Sequence, residues 1–325
     1  MSTEAKVYDV LIVGGSSAGW SAALCLGRSL RSVLVLDSNQ PCNRFTPHSQ
    51  NFLTRDGEAP GTIRQIAMDQ VLNIYGETVE YQGDVVVTQG KNLTTESGTL
   101  FELTTDAGTV FQGKKVVFAT GVKDMLATTI EGFEDCWGVS IIHCPYCHGY
   151  EHKERPTAVL LHNPEAKQAM KMIPLVKNVV GPNHPLTMLT NGKLPAELGF
   201  DATHLEKLEQ HNIVVITQPV KKIVHEKGYL SKVHFEQGAE QQHLEISVMY
   251  ALVKTEQACR VPIDDLGCNV DEMGYVAVDP MQKTSVPGIF ACGDNTTFLR
   301  QIAKAVSAGN ICGAIVNMEL AAETW

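Results

Sequence analysis

The chain has 325 residues, 44% of them apolar and 19% charged, and a formal net charge of -10. That length fits about two domains with sizeable cores, and the composition excludes a disordered chain. The negative charge argues against nucleic acid or an anionic membrane as a general partner; no run of about 18 apolar residues occurs and the N-terminus lacks a signal-peptide profile, so a cytoplasmic location is expected.

Val7 to Val13 is a short β-branched apolar run, suited to a parallel strand buried on both faces. Gly14-Gly15-Ser16-Ser17-Ala18-Gly19 follows, then a helical pattern from Trp20 through Leu30, a second strand from Ser32 to Leu36, and Asp37. Strand, glycine turn, helix, strand and acid is the order of a dinucleotide-binding unit. In such a unit backbone N–H groups and a helix N-terminus face a pyrophosphate, and the acid accepts from ribose hydroxyls. Ser16 departs from the fingerprint, standing where its second glycine belongs. Residues 38 to 62 are polar and read as an extended loop, and 83 to 118 as alternating strands with turns at Gly90, Ser97-Gly98 and Ala107-Gly108. Lys115 to Ala119 gives another buried strand, closed by Thr120-Gly121.

Cys144-Pro145-Tyr146-Cys147, followed at once by His148, is the motif with the most chemistry. It fits a redox dithiol with one thiol of lowered pKa, half of a zinc site, a haem attachment sequence, or two ordinary buried thiols. Nine cysteines, at 25, 42, 136, 144, 147, 259, 268, 292 and 312, include one pair at this spacing. That odd, scattered set is unlike a secreted disulfide framework. A structural zinc site calls for a second pair, which is absent, so no metal is expected. Cys25, Cys292 and Cys312 read as packing, and Cys42 receives no role.

Near the C-terminus, residues Thr284 to Asp294 form a turn, a buried strand and a Gly-Asp. Arg300-Gln301 then opens a helix bearing Ala305, Ala308, Gly309 and Gly313, small residues that permit close approach. With the N-terminal unit this makes an FAD domain split in sequence. The expected fold class is α/β: two Rossmann-like, three-layer ββα domains, with FAD-binding parts at 1–121 and 251–325 and an inserted central dithiol domain at 122–250.

These motifs together resemble the low-molecular-weight thioredoxin reductase family: the Gly14 to Gly19 turn with Asp37, Ala119-Thr120-Gly121, the Cys144/Cys147 pair, Pro287 to Asp294, and Arg300-Gln301. The resemblance implies FAD as cofactor, a homodimer, Cys147 facing the flavin and Cys144 attacking a substrate disulfide. It also implies cofactor contacts from Gly14, Gly15, Ser16, Ser17, Ala18, Gly19, Asp37, Arg44, His48, Asn51, Ala119, Thr120, Gly121, Gly293, Asp294, Arg300, Gln301 and Ile302. His148, which replaces the acid that commonly follows the pair, titrates near neutrality and suits proton exchange with Cys147 or the flavin. Trp325, the last residue, is a candidate to stack on the isoalloxazine ring, of its own or the other subunit.

The central segment departs from the family. Members that use NADPH carry a second glycine fingerprint after the dithiol, whereas the strand Thr157 to Leu161 here runs into His162-Asn163-Pro164-Glu165-Ala166. A turn without glycine keeps the backbone from a pyrophosphate. The next strand, Leu186 to Leu189, ends in Thr190-Asn191-Gly192 with no arginine pair. NADPH is therefore not the expected donor. This is similar to two branches: bacterial thioredoxin-reductase-like flavoproteins that dispense with NADPH, which the run from Arg44 through His48 to Asp56-Gly57 favours, and oxygen-dependent dithiol oxidases of the gliotoxin-oxidase type. The first branch implies a ferredoxin, a flavodoxin or another donor and a thioredoxin-like acceptor; the second implies a small dithiol substrate. Between 143 and 193 six Lys and Arg face three Glu, a local positive bias suited to an acidic donor protein.

Overall fold

The computed structural model describes residues 6–95, 98–162, 166–236 and 242–325. The chain divides into two compact units, one of Met1–Arg44, Pro60–Lys123 and Glu256–Trp325, the other of Phe45–Ala59 and Asp124–Thr255. The first is thus split in sequence around an insertion, and Phe45–Ala59, which the sequence pattern leaves with the first unit, clusters with the second. That segment carries no apolar periodicity to assign it. It is held where the backbone of Phe45 lies against Gly138, so closely that a Cβ there would come within 2.8 Å of the Phe45 carbonyl.

The first unit opens with β1 (Val7–Val13), α1 (Ser17–Arg28), β2 (Val33–Asp37), α2 (Pro60–Tyr75), β3 (Val79–Gly83), β4 (Val87–Thr95), β5 (Gly98–Thr105), β6 (Val110–Phe118) and β7 (Val122–Asp124). β1 pairs in parallel with β2 and β6, and β2 with β3. The β1 run is buried on both faces: Val10 and Ile12 pack with α1, and Leu11 and Val13 with Phe101, Leu103 and Val116. Each such side chain contributes roughly 1.5–3 kcal/mol by leaving water. β6 changes partner midway, pairing antiparallel with β5 through Val110–Gly113 and in parallel with Ile289–Ala291 through Val116–Phe118. The β4–β5 hairpin thereby makes the third layer. Gly90 lies inside β4 rather than in the expected turn, where a Cβ would sit 2.8 Å from Leu266 Cγ; close packing, not chain reversal, calls for glycine there.

The second unit holds α3 (Phe133–Cys136), β8 (Ile141–Ile142), α4 (Pro145–His148), β9 (Thr157–Leu161), α5 (Ala166–Val180), β10 (Leu186–Leu189), α6 (Ala202–Gln210), β11 (Ile213–Ile216), β12 (Val220–Glu226), β13 (Tyr229–Phe235), β14 (His243–Glu245) and β15 (Val248–Leu252). Its parallel sheet has the order β11-β10-β9-β15-β8, beside an antiparallel β12-β13-β14. Along β9, Ala158 and Leu160 face the antiparallel layer while Val159 and Leu161 face α5, the double burial that parallel strands require.

The chain returns through β16 (Thr255–Gln257), α7 (Arg260–Asp265), β17 (Ile289–Ala291) and α8 (Ile302–Ala322). α8 is long and apolar enough to cross a membrane by length and composition, although Lys304, Asn310 and Glu319 interrupt its apolar run. Its small-residue face lies on α1: a Cβ on Gly309 would stand 2.1 Å from the Ala18 carbonyl oxygen, and one on Gly313 2.8 Å from that of Ala22. Both units are α/β with parallel sheets, the expected Rossmann-like class.

Candidate functional site

In the first unit, a cleft opens at the C-terminal ends of β1, β2 and β6. Its floor is the glycine turn. Gly14 has φ +109, and a Cβ there would stand 2.3 Å from the Ala119 carbonyl oxygen; one on Gly19 would stand 1.8 Å from the Gly14 oxygen. The turn is therefore pressed against the Ala119-Thr120 strand end and against the start of α1. α1 begins three residues before the helical periodicity predicts, with Ser16 as its N-cap. The Ser16 side chain makes no capping bond, and no acid occupies the first turn. A helix end of this kind suits an anion. Asp37, buried at the end of β2, borders the same cleft.

The C-terminal motif closes the same unit. Gly293 has φ +92, with Ala18 Cβ 2.9 Å from where its own Cβ would be. Arg300 Nε lies 3.9 Å from Asp294 Oδ2, and Arg300 Nη2 donates to Cys42 Sγ at 2.8 Å. Gln301 is the N-cap of α8, and Ile302 its first residue.

In the second unit, Cys144 and Cys147 are joined by a disulfide, with Cα atoms 5.3 Å apart. Cys144 is the N-cap of α4, its Sγ accepting from the Cys147 N–H at 3.1 Å, and Pro145 occupies the first turn, where a missing N–H costs nothing. His148 ends the helix, with Nε2 3.5 Å from Thr46 Oγ1. Burial, helped by the nearby His152, pushes the His148 imidazole below its usual value, so it is neutral near pH 7. His143, just before the pair, stacks on Trp137, which stacks in turn on Phe133.

Sequence-predicted residues divide between the units. Gly14 to Gly19, Asp37, Ala119, Thr120, Gly121, Gly293, Asp294, Arg300, Gln301 and Ile302 share the first; Cys144, Cys147 and His148 share the second. Arg44 ends the first segment, its Nη1 donating to the Pro41 carbonyl at 3.1 Å. His48 and Asn51 fall in the second unit, where His48 Nδ1 lies 3.0 Å from the Gly57 oxygen and the Asn51 N–H donates to Asp56. Trp325 is fully exposed beyond α8, about 30 Å from Gln301 at 1.5 Å per helical residue. Among the described residues no group of three His, Cys, Asp or Glu is arranged to hold a metal, and burial raises the Cys136 thiol to about 11.

A family described as pyridine nucleotide-disulphide oxidoreductase matches residues 8–169 and 194–309. The chain belongs to this family. It is 30% identical to the thioredoxin reductase tcpT of Claviceps purpurea, across 99% of this chain and 97% of that protein. With the thioredoxin reductase aclD of Aspergillus oryzae the identity is 31%, across 98% of each. The crystal structure of an oxidoreductase from Agrobacterium tumefaciens superposes with a TM-score of 0.83 at 31% identity, covering 97% of this chain and 99% of that one.

The protein is accordingly an FAD-dependent disulfide oxidoreductase of the thioredoxin reductase type. The first unit fits FAD: a glycine cradle with no room for a Cβ, an anion-ready helix end and a buried acid at the ribose position. Two groups there escaped sequence reasoning. Asn295, fully buried after the Gly-Asp, donates to the Phe118 carbonyl at 2.9 Å and lies 3.4 Å from Thr120 Oγ1, tying two cofactor motifs together; its Oδ1 has no partner. Arg64 on α2 bonds Asp37, and nothing in the polar stretch before α2 signals it.

Proposed function

We propose that the protein exchanges two electrons between bound FAD and the Cys144–Cys147 dithiol, and passes them to a thioredoxin-like or small disulfide without using NADPH. FAD supplies a two-electron carrier. The chain's own chemistry is dithiol exchange: the Cys144 thiolate attacks a partner disulfide and expels one partner thiolate; Cys147 then attacks Cys144, expels the second and restores the ring. The observation that carries this proposal is the Cys144–Cys147 disulfide on α4 beside the desolvated His148.

Two features support a donor other than NADPH. The β9-to-α5 turn contains no glycine, its residues 163–165 lying outside the described ones. After β10, Asn191 (φ +51) accepts from the Val220 N–H at 2.8 Å, and Thr190 Oγ1 donates to the Lys193 oxygen, so this turn is internally bonded and bears no arginine. A bacterial-branch donor of acidic ferredoxin or flavodoxin type suits the exposed Lys153, Arg155, Lys167 and Lys171. We also place the protein in the cytoplasm as a homodimer, with the exposed Trp325 free of the core of its own chain.

Anaerobic stopped flow tests the donor. NADPH is expected to leave the flavin absorbance unchanged over seconds, while reduced ferredoxin bleaches it and supports disulfide reduction. Fast bleaching by NADPH would refute the donor assignment. Bleaching by dithiols with rapid reoxidation by air in turnover would make the protein a dithiol oxidase instead.

His148→Asn gives a further expected result: a loss of about 100-fold in dithiol exchange near pH 7, the scale of one general base. The wild-type rate should fall as pH drops through the lowered His148 value, which lies under the ordinary 6.5, and the variant should lack that acid limb. The same displacement makes the unfolded chain the better proton acceptor. His148's contribution to stability is therefore present above pH 6.5 and lost as pH falls, which melting between pH 5 and 8 will show. A variant whose rate and pH profile both match those of the wild type would remove His148 from the mechanism.

A further inference from the structure

Arg64 reaches the floor of the cleft from α2. Its Nε donates to the Gly15 carbonyl at 2.9 Å, and its Nη2 lies 2.6 Å from Asp37 Oδ2 and donates to the Tyr81 hydroxyl at 3.0 Å. Nη2 also bonds the Asn39 side-chain oxygen, which Tyr81 donates to at 2.9 Å. The Arg64 and Asp37 side chains are 20% and 9% exposed. A carboxylate so far out of water needs a fixed cation, and the planar guanidinium is the side chain that can bond an acid and a carbonyl at once. Gly15 and Asp37 are already in contact, for a Cβ on Gly15 would stand 2.8 Å from Asp37 Oδ2. One guanidinium thus joins the loop suited to a pyrophosphate to the acid suited to a ribose. Arg64 uses one acceptor site on Oδ2, and the carboxylate keeps acceptor capacity for a ribose hydroxyl.

We propose that Arg64 is the positioning residue of the FAD site, fixing the Asp37 carboxylate and the Gly15 peptide in the geometry that receives the adenosine ribose and the pyrophosphate. It acts through those two groups, and its neighbours Tyr81 and Asn39 hold it in place.

The test uses apoprotein of wild type, Arg64→Met, Arg64→Lys, Asp37→Asn and the Arg64→Met/Asp37→Asn double variant. FAD affinity is read from flavin fluorescence, the ribose contact from competition by ADP against 2′-deoxy-ADP, and folding from apoprotein melting. Arg64→Met is expected to weaken FAD about tenfold or more, the scale of a charge-assisted hydrogen bond, and Arg64→Lys to recover part of that. Arg64→Met should also abolish the preference for ADP over its 2′-deoxy analogue, which a purely structural residue would leave intact. In the Asp37→Asn background the methionine should cost less than about threefold more, because its main target is gone. If Arg64→Met melts early, Arg64→Lys and Asp37→Asn still report the ribose preference. Unchanged or tighter FAD binding by folded Arg64→Met would overturn the proposal, as would a retained ADP preference or effects that simply multiply.

Discussion

Cys144→Ser and Cys147→Ser are each expected to fold, to keep FAD, and to lose disulfide reduction by at least about a thousandfold. Serine cannot form the ring, and its hydroxyl lacks the thiolate chemistry of exchange. The fold should tolerate the first change because residue 144 is the N-cap of α4, accepting from the Cys147 N–H, and serine is a preferred residue there. Most of the other thiols are poor substitutes. Cys268, Cys292 and Cys312 are buried, and burial raises Cys259 to about 12 and Cys136 to about 11. The measurement is turnover with a protein disulfide beside flavin absorbance of the same preparation. A variant that keeps its flavin and more than a tenth of wild-type turnover would show that the electrons leave by another route.

Strong local signals made much of the fold legible. β1, β9 and β10 fall where their apolar runs predict, because strands buried on both faces leave an unmistakable pattern. β6 extends further back than its apolar run, since its first half pairs with β5 and has a different burial pattern from the half that enters the parallel sheet. α2 is not legible in the sequence because it buries a single residue, Val71, and so shows little periodicity, and Arg64 lies on it. Asn295 was obscured differently: its importance is in bonds to Phe118 and Thr120, distant in sequence, and no local pattern encodes such a partner. The assignment of Phe45–Ala59 to the second unit has the same origin, in the contact of Phe45 with Gly138.

Gly19→Ala is expected to release FAD and to destabilise the protein by about 3 kcal/mol or more, at or above the upper end for an overpacked methyl. The added Cβ would sit 1.8 Å from the Gly14 carbonyl oxygen, closer than any real contact, and the obstacle is backbone, which cannot swing aside. Gly14 cannot yield in turn, since it is itself pressed on the Ala119 carbonyl and held at φ +109. The start of α1 must therefore lift from the end of β1, which spoils the helix end that faces the pyrophosphate and shifts Ala18 against Gly293 and Gly309 of the C-terminal half. Gly61→Ala is the matched control, with nothing within 4 Å of its Cβ and a place near the start of α2. Melting temperature and flavin content are to be measured on both. A Gly19→Ala protein that retains stoichiometric flavin at wild-type stability would mean that the turn opens freely and that its close contacts do not set the cofactor site.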